Sequence, residues 1–332
     1  MRLPSLRRLA PAGLLGMALG SGPLFAQAPS PEPRDVPTFG AATELVYVRF
    51  HVERKGHYLR SVTKDQIRVL EDGRPQEIAL LETPATRERT VPPEVVLALD
   101  VSSSVMEEQL LDEALVREVL FATLGDQARV GLCAFGGELR CLRPPTRDPD
   151  ALLEGLQEAI RFSHETRHKG TRLYASLADV SRRAHEGEKS QRAMIVFSDG
   201  LDTTGGKMDE AVEAARAADV RVYTVALSQA FMATARSTSP FGMPPSRTMY
   251  DYKKLEFGRL AEETGGRGYE PATLDPKSLA KVLTSIATEI SSENVVGYQP
   301  ADPPSGRKRK VKVELVDKSI GRIEDGERTL VR

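Results

Sequence analysis

Residues 95–104 read Val-Val-Leu-Ala-Leu-Asp-Val-Ser-Ser-Ser, an apolar run that passes directly into acidic and hydroxyl side chains. A continuous apolar run of this length is typical of a strand that is buried on both faces of a parallel sheet. A second run, Ala193–Phe197, leads into Ser198-Asp199-Gly200. Segments with a helical pattern separate and follow these runs along the chain. The alternation predicts an α/β unit: a doubly wound, mostly parallel sheet with helices on both faces.

Strand patterns replace this alternation towards both ends of the sequence. Apolar and polar residues alternate from Glu44 to Val52, and Asp72-Gly73 is a hairpin signal between two further alternating stretches. Alternation returns at residues 311–315 and 320–323, followed by a turn at Asp325-Gly326. The simplest arrangement is a small β-sandwich built from the N- and C-terminal strands, with the α/β unit inserted, because the termini of a domain usually lie close together. The predicted boundaries are 43–92 for the N-terminal β unit, 93–291 for the α/β domain and 292–332 for the C-terminal strands.

The first 28 residues have the layout of a secretory signal peptide. Arg2, Arg7 and Arg8 precede a mostly apolar stretch, and Ala26-Gln27-Ala28 is a small-residue cleavage site. Residues 29–42 are rich in proline and predict a linker. The sequence therefore predicts an exported protein, periplasmic or secreted, with no transmembrane segment in the mature chain. An uncleaved membrane anchor is the alternative interpretation of the leader.

Composition limits the possible functions. The 332 residues include 46 Lys and Arg against 47 Asp and Glu, which gives a formal net charge of −1. This balance offers no basic surface for nucleic acid, and two cysteines cannot build a disulfide-rich scaffold or a four-cysteine zinc site. Cys133 and Cys141 flank a predicted hairpin turn at Gly136-Gly137. They either form a disulfide there or pack as free thiols, and the sequence leaves both alternatives open.

Polar side chains follow the predicted buried strands at one edge of the sheet. Asp100, Ser102 and Ser104 come directly after the first strand, Asp199 comes after the second, and Thr171 opens a helix between them. Ligands of such sheets bind beyond the carboxyl ends of the strands, where the strand order reverses. Two carboxylates and three hydroxyls supply only oxygen donors, which suit a hard cation, with Mg²⁺ as the first choice. Because few of these donors are charged, we expect the ion to keep much of its positive charge and to accept a carboxylate from a partner.

These elements resemble the metal-ion-dependent adhesion site of the von Willebrand factor type A domain family. The resemblance covers about residues 93–291 and rests on Asp-x-Ser-x-Ser at 100–104, Gly-Thr at 170–171 and Ser-Asp-Gly at 198–200. The family usually has glycine between the two serines, where this chain has Ser103. The departure leaves every ligand position of the motif intact.

The resemblance implies a role for each of these oxygen donors. Direct metal ligands would be Ser102, Ser104 and Thr171, with Asp100 and Asp199 binding partly through water. It also implies a non-enzymatic protein-binding or adhesion module that uses Mg²⁺, with Mn²⁺ or Ca²⁺ as alternatives, to capture an exposed Asp or Glu of a protein partner. The segments 71–78 and 294–298 are similar to the flanks of exported bacterial proteins described as von Willebrand factor A-related.

A competing motif lies at His164-Glu165-Thr166-Arg167-His168. It matches H-E-x-x-H, in which two histidines on one helix face bind zinc and the glutamate acts as a base. Taken alone, the motif predicts a zinc peptidase that uses His164, Glu165 and His168. Charged neighbours and Gly170 instead favour a solvated loop that leads into Thr171. A further alternative is a structural module of the cell envelope whose metal site is not used.

Overall fold

The protein is described here by a computed structural model. The described residues are 45–86, 91–102, 111–166, 169–185, 191–227 and 256–332. The predicted signal peptide, the predicted linker and Ser104 lie outside them. Residues Thr43–Arg332 group into one compact unit.

The strands of the described residues are numbered in chain order. They are β1 (Val46–Arg54), β2 (His57–Tyr58), β3 (Ile67–Glu71), β4 (Arg74–Glu82), β5 (Pro93–Asp100), β6 (Arg129–Phe135), β7 (Leu139–Thr146), β8 (Gln191–Ser198), β9 (Val220–Ala226), β10 (Gly268–Tyr269), β11 (Asn294–Gln299), β12 (Lys308–Leu315), β13 (Arg322–Glu324) and β14 (Glu327–Val331). The main helices are α1 (Ala122–Leu124, which continues the π-helical segment Leu115–Phe121), α2 (Pro149–Thr166), α3 (Leu173–His185), α4 (Met208–Ala217), α5 (residues 256–263) and α6 (Pro276–Ser291). Among the described residues, none of the helices is long and apolar enough to cross a membrane.

The central sheet has the order β10-β9-β8-β5-β6-β7. Neighbouring strands are parallel except for β7, which is antiparallel to β6. The chain passes from β5 to β6 on one side and later returns to β8 on the other, so the strand order reverses at β5. In register, Leu97 lies opposite Leu132 of β6 and Ile195 of β8. The predicted α/β sheet is therefore present, and its reversal point lies where Asp100 ends β5.

Helices cover both faces of this sheet, as the apolar runs predict. Alternate residues of β5 point to opposite sides, so Leu97 packs in one core cluster and Ala98 in another. The first cluster contains Leu283 of α6, and the second contains Val212 of α4. The start of α6 is fixed locally, because the carboxylate of Asp275 accepts hydrogen bonds from the first backbone N–H groups of the helix.

The strands of the two chain ends form a separate, curled antiparallel sheet. Its order is β13-β1-β11-β4-β3-β12-β14, with β2 paired to β1. Val48 of β1 lies opposite Val296 of β11, and both are fully buried. The last turn follows the Asp325-Gly326 signal, and the strand predicted at 320–323 is observed as β13. Strands from the two ends of the described chain, such as β1 and β13, thus pair with each other around one apolar core.

Buried charges connect the curled sheet to the central sheet. Arg49 of β1 donates to the carbonyl oxygen of Arg192 at 3.0 Å and to the carboxylate of Asp219 at 3.1 Å. Arg221 of β9 pairs with Glu293 at 2.8 Å, and both side chains are less than one-tenth exposed. Removing one partner of such a pair leaves an uncompensated buried charge. These contacts hold the starts of β8 and β9 against the curled sheet.

Cys133 and Cys141 form a disulfide between β6 and β7. The two residues lie opposite each other in the antiparallel register of the hairpin. The sequence left a disulfide and free thiols equally open, because the strand register decides between them. The bond closes a short loop that contains Gly136 and Gly137.

Removing this disulfide should lower stability without changing the fold. A sequence separation of 8 residues corresponds to about 2–3 kcal/mol of unfolding free energy from the restriction of the unfolded chain. We expect the Cys133→Ala/Cys141→Ala double variant to lose about that amount in urea unfolding monitored by circular dichroism. The wild-type protein in dithiothreitol should match the variant, and the variant should not respond to dithiothreitol. Equal stability of oxidised and reduced wild type would contradict the prediction.

Candidate metal centre

Asp100 is the best-defined member of the predicted site. It is the last residue of β5, and its side chain has no solvent exposure. One carboxylate oxygen, Oδ2, accepts a hydrogen bond from Ser198 Oγ at 2.6 Å, and Oδ1 accepts one from the backbone N–H of Ser102 at 2.9 Å. Burial, and secondly the negative charge of Asp199, raise the pKa of Asp100 to about 7. The ionised carboxylate is therefore held in place but is poorly compensated.

Asp199 lies beside Asp100 because their strands are neighbours. β5 and β8 run parallel with Leu99 opposite Phe197, so the residues that follow the two strands emerge side by side. Asp199 is 9% exposed, and its Oδ1 accepts a hydrogen bond from the backbone N–H of Leu201 at 2.9 Å. Gly200 turns the chain away from the strand with a φ of +81°, a conformation that favours glycine.

Thr171 reaches the same edge of the sheet through backbone contacts with the β6–β7 hairpin. The N–H of Val101, next to Asp100, donates to the carbonyl oxygen of Phe135 at 2.8 Å. The N–H of Arg172, which is next to Thr171, donates to the carbonyl oxygen of Gly136 at 2.8 Å. Gly136 is the residue that follows Phe135. Adjacent carbonyls of one turn thus hold the segments that carry Asp100 and Thr171. Thr171 itself is 5% exposed.

The structure therefore brings Asp100, Ser102, Thr171 and Asp199 to one edge, at the carboxyl ends of the strands. Ser102 is the second residue after β5 and is half-buried. Ser104 lies outside the described residues. The role of these side chains as metal ligands stays a prediction.

The donor set fits a hard divalent cation. Within the described part of the chain, no lysine or arginine forms an ion pair with Asp100, although it lies next to a second carboxylate. A buried carboxylate pair of this kind is costly unless a positive charge approaches it. The available atoms are carboxylate and hydroxyl oxygens, the donors preferred by Mg²⁺ and Ca²⁺.

The first residues of the H-E-x-x-H segment are solvated, as predicted, but they lie on a helix and not in a loop. His164 and Glu165 lie in the last turn of α2, which extends to Thr166, so the prediction of a loop was wrong for these residues. Both side chains are exposed, and Glu165 pairs with Arg140 at 3.0 Å. His168 lies outside the described residues. Among the residues that are described, no three histidine, cysteine or carboxylate side chains group as metal ligands, so nothing here favours the zinc peptidase.

Two side chains that the sequence patterns did not single out organise the loop after Asp199. Asp202 accepts hydrogen bonds from the backbone N–H of Tyr174 at 3.1 Å and from that of Gly206 at 3.0 Å. Thr203 Oγ1 accepts a hydrogen bond from the N–H of Thr171 at 2.7 Å. The available signal was the turn-forming composition of residues 202–206, Asp-Thr-Thr-Gly-Gly, but their long-range contacts could not be predicted from it.

These features define a parallel α/β domain with oxygen donors at the reversal point of its strands. Residues 94–257 match the family model of the von Willebrand factor type A domain. The chain therefore contains a von Willebrand factor type A domain over those residues, which confirms the resemblance inferred from the motifs. A search of curated proteins gave no match to the chain.

Solved structures with a similar arrangement come from several bacteria. BatB, a conserved hypothetical protein from Bacteroides thetaiotaomicron, is 21% identical, with coverage of 60% of this chain and 98% of its own and a TM-score of 0.41. A von Willebrand factor type A protein from Catenulispora acidiphila is 11% identical over 86% of this chain and 72% of its own, with a TM-score of 0.42. The corresponding domain of the type V pili tip protein Mfa5 from Porphyromonas gingivalis is 14% identical over 61% and 96%, with a TM-score of 0.43.

The burial of Asp100 predicts a specific pH dependence of stability in the absence of metal. Its raised pKa means that, between about pH 4 and pH 7, the folded state keeps a proton that the unfolded state has released. This contribution to the free energy of unfolding therefore falls as pH rises through the window and stays low above it. Asp100→Asn removes the contribution while keeping the side-chain shape.

Urea unfolding in EDTA at pH 5 and pH 8 tests this. We expect wild type to lose roughly 2 kcal/mol of unfolding free energy relative to Asp100→Asn when the pH is raised from 5 to 8. The matched control is Asp126→Asn, because Asp126 is exposed and precedes β6 at the opposite end of the sheet. The prediction is wrong if Asp100→Asn and the control show the same pH dependence as wild type.

Proposed function

We propose that this chain is an exported, non-enzymatic protein-binding module that captures an acidic side chain of a partner through a divalent cation. The proposed ion is Mg²⁺, with Mn²⁺ or Ca²⁺ as alternatives, and the proposed ligands are Asp100, Ser102, Ser104, Thr171 and Asp199. The observation that carries the proposal is the burial of Asp100 beside Asp199 at the reversal point of the strands, within the domain matched by the family model.

The chain's own residues hold the oxygen donors before any ion arrives. Ser198 and the N–H of Ser102 each occupy one oxygen of Asp100 and fix the plane of its carboxylate. The side chain of Ser102 also hydrogen-bonds to this carboxylate. Since a carboxylate has about four lone-pair positions, about one remains for a cation or a bridging water. When bound, the ion supplies a Lewis-acidic position that accepts a carboxylate. Hydroxyl ligands are neutral, so this donor set leaves the ion more positive than a set made of carboxylates alone.

Two observations favour export. Residues 1–28 have the charge pattern and cleavage site of a signal peptide. The disulfide between Cys133 and Cys141 is a bond that persists in oxidising compartments and is rare where thiols are kept reduced. The proposed location is the periplasm or the outside of the cell.

Isothermal titration calorimetry with MgCl₂ on the purified chain tests the metal site. Wild type should show saturable binding of one ion, and Asp100→Ala should lose it while its circular dichroism spectrum remains unchanged. Asp126→Ala is the matched control, since it removes an exposed carboxylate away from the site and should keep wild-type affinity. If wild type shows no saturable binding of Mg²⁺, Mn²⁺ or Ca²⁺, or if Asp100→Ala binds as wild type does, the metal assignment fails.

Capture by the immobilised chain tests the use of the metal. The proposed mode predicts that proteins retained in MgCl₂ are released by EDTA and are not retained by Asp100→Ala. Asp126→Ala should retain the same proteins as wild type, and adding MgCl₂ back after EDTA should restore their capture. Retention that is insensitive to both EDTA and Asp100→Ala would favour a structural envelope module with an unused metal site.

A further inference from the structure

Thr171 and Thr203 are joined by a reciprocal pair of hydrogen bonds. The N–H of Thr171 donates to Thr203 Oγ1 at 2.7 Å, and the N–H of Thr203 donates to the carbonyl oxygen of Thr171 at 3.0 Å. The two residues are 32 positions apart, in the loops that precede α3 and α4. One side chain thus fixes the backbone of a proposed metal ligand from a different part of the chain.

Gly170 is fitted to this contact. Its φ is +77°, and a Cβ atom built on it would lie 2.6 Å from Thr203 Oγ1. Both the left-handed backbone and the lack of a side chain are therefore needed for Thr203 to approach Thr171. Gly170 thus leaves room for the Thr203 hydroxyl, and Thr171 donates its N–H to that hydroxyl while its own side chain is a proposed metal ligand.

Asp202 anchors the loop on the neighbouring residues of the same segment. Its Oδ2 accepts a hydrogen bond from the N–H of Tyr174, in the first turn of α3. Its Oδ1 accepts hydrogen bonds from the N–H groups of Thr204 and Gly206 at 2.9 Å and 3.0 Å. The position of Thr203 is thus set from both sides, by its own backbone bond to Thr171 and by the adjacent carboxylate.

We infer that Thr203 is a positioning residue that holds Thr171 in the orientation needed for metal binding. The inference rests on the proposed function, because it assigns Thr203 a role towards the same ion. A threonine side chain has few rotamers, so a fixed backbone at Thr171 restricts the direction of its hydroxyl. Partners that orient metal ligands raise affinity because the ligands are already ordered when the ion arrives. Thr203 acts through Thr171 and is not itself proposed as a ligand.

The test compares three variants of the full chain with wild type by calorimetric titration of MgCl₂. Thr203→Val removes the acceptor and keeps the shape of the side chain, and its dissociation constant for Mg²⁺ should rise by about 10- to 100-fold. Thr203→Ser keeps the hydroxyl and should stay within about threefold of wild type. Thr329→Val is the matched control: it makes the same change at an exposed position of β14, in the curled sheet and away from the proposed metal site. It should leave the affinity unchanged.

Urea unfolding in EDTA separates positioning from a purely structural role. Thr203 is exposed, but its hydroxyl accepts a part-buried hydrogen bond. Thr203→Val should therefore lower the unfolding free energy in EDTA only slightly and lose, in addition, much of the part that MgCl₂ adds. Wild-type Mg²⁺ affinity in Thr203→Val, or a loss of affinity explained by an equal loss of stability in EDTA, overturns the positioning role and leaves the proposed function intact. A wild-type chain that binds no divalent ion overturns both.

Discussion

The carboxylate of Asp100, buried next to that of Asp199, is the constraint around which the edge of the central sheet is built. The parallel register of β5 and β8 places the two acidic side chains together as soon as the strands form. Burial disfavours the ionisation of Asp100, and the neighbouring negative charge of Asp199 disfavours it further. Hydrogen bonds from Ser198 and from the N–H of Ser102 orient Asp100 but bring no positive charge. The charge on Asp100 is therefore the unbalanced term at this edge, and the proposed cation would balance it.

At the amino ends of the strands in the same sheet, the carboxylates form ion pairs with arginine. At the starts of β8 and β9, Arg49 pairs with Asp219, and Arg221 pairs with Glu293. Both side chains of the second pair are less than one-tenth exposed, whereas Asp219 is 38% exposed. The fold thus compensates its buried carboxylates with arginine where the curled sheet meets the central sheet. At the carboxyl end of β5, by contrast, no lysine or arginine of the described residues forms an ion pair with Asp100. The contrast within one sheet argues that Asp100 is not simply a structural polar residue.

How much of this was predictable depends on the range of the interactions. The apolar runs at 95–99 and 193–197 predicted the buried strands, and the polar residues after them predicted which side chains meet at the edge. The disulfide was undecided because it requires the exact register of β6 and β7. Helix α2 extends to Thr166, so His164 and Glu165 lie on a helix rather than in the predicted loop. The contact between Thr171 and Thr203 is long-range and leaves no periodic signal in the sequence.

Two opposing effects set the affinity that such a site would have. The raised pKa of Asp100 means that a proton competes with a cation below neutral pH, so part of the binding free energy is used to displace it. The hydrogen bonds to Thr171 and to both oxygens of Asp100 act in the other direction, since they order the ligands during folding rather than during binding. An ion that binds only the folded chain also stabilises it by mass action. The free-energy cost of burying the ionised Asp100 carboxylate therefore enters the stability of the domain, the pH dependence of that stability and the proposed binding of the cation.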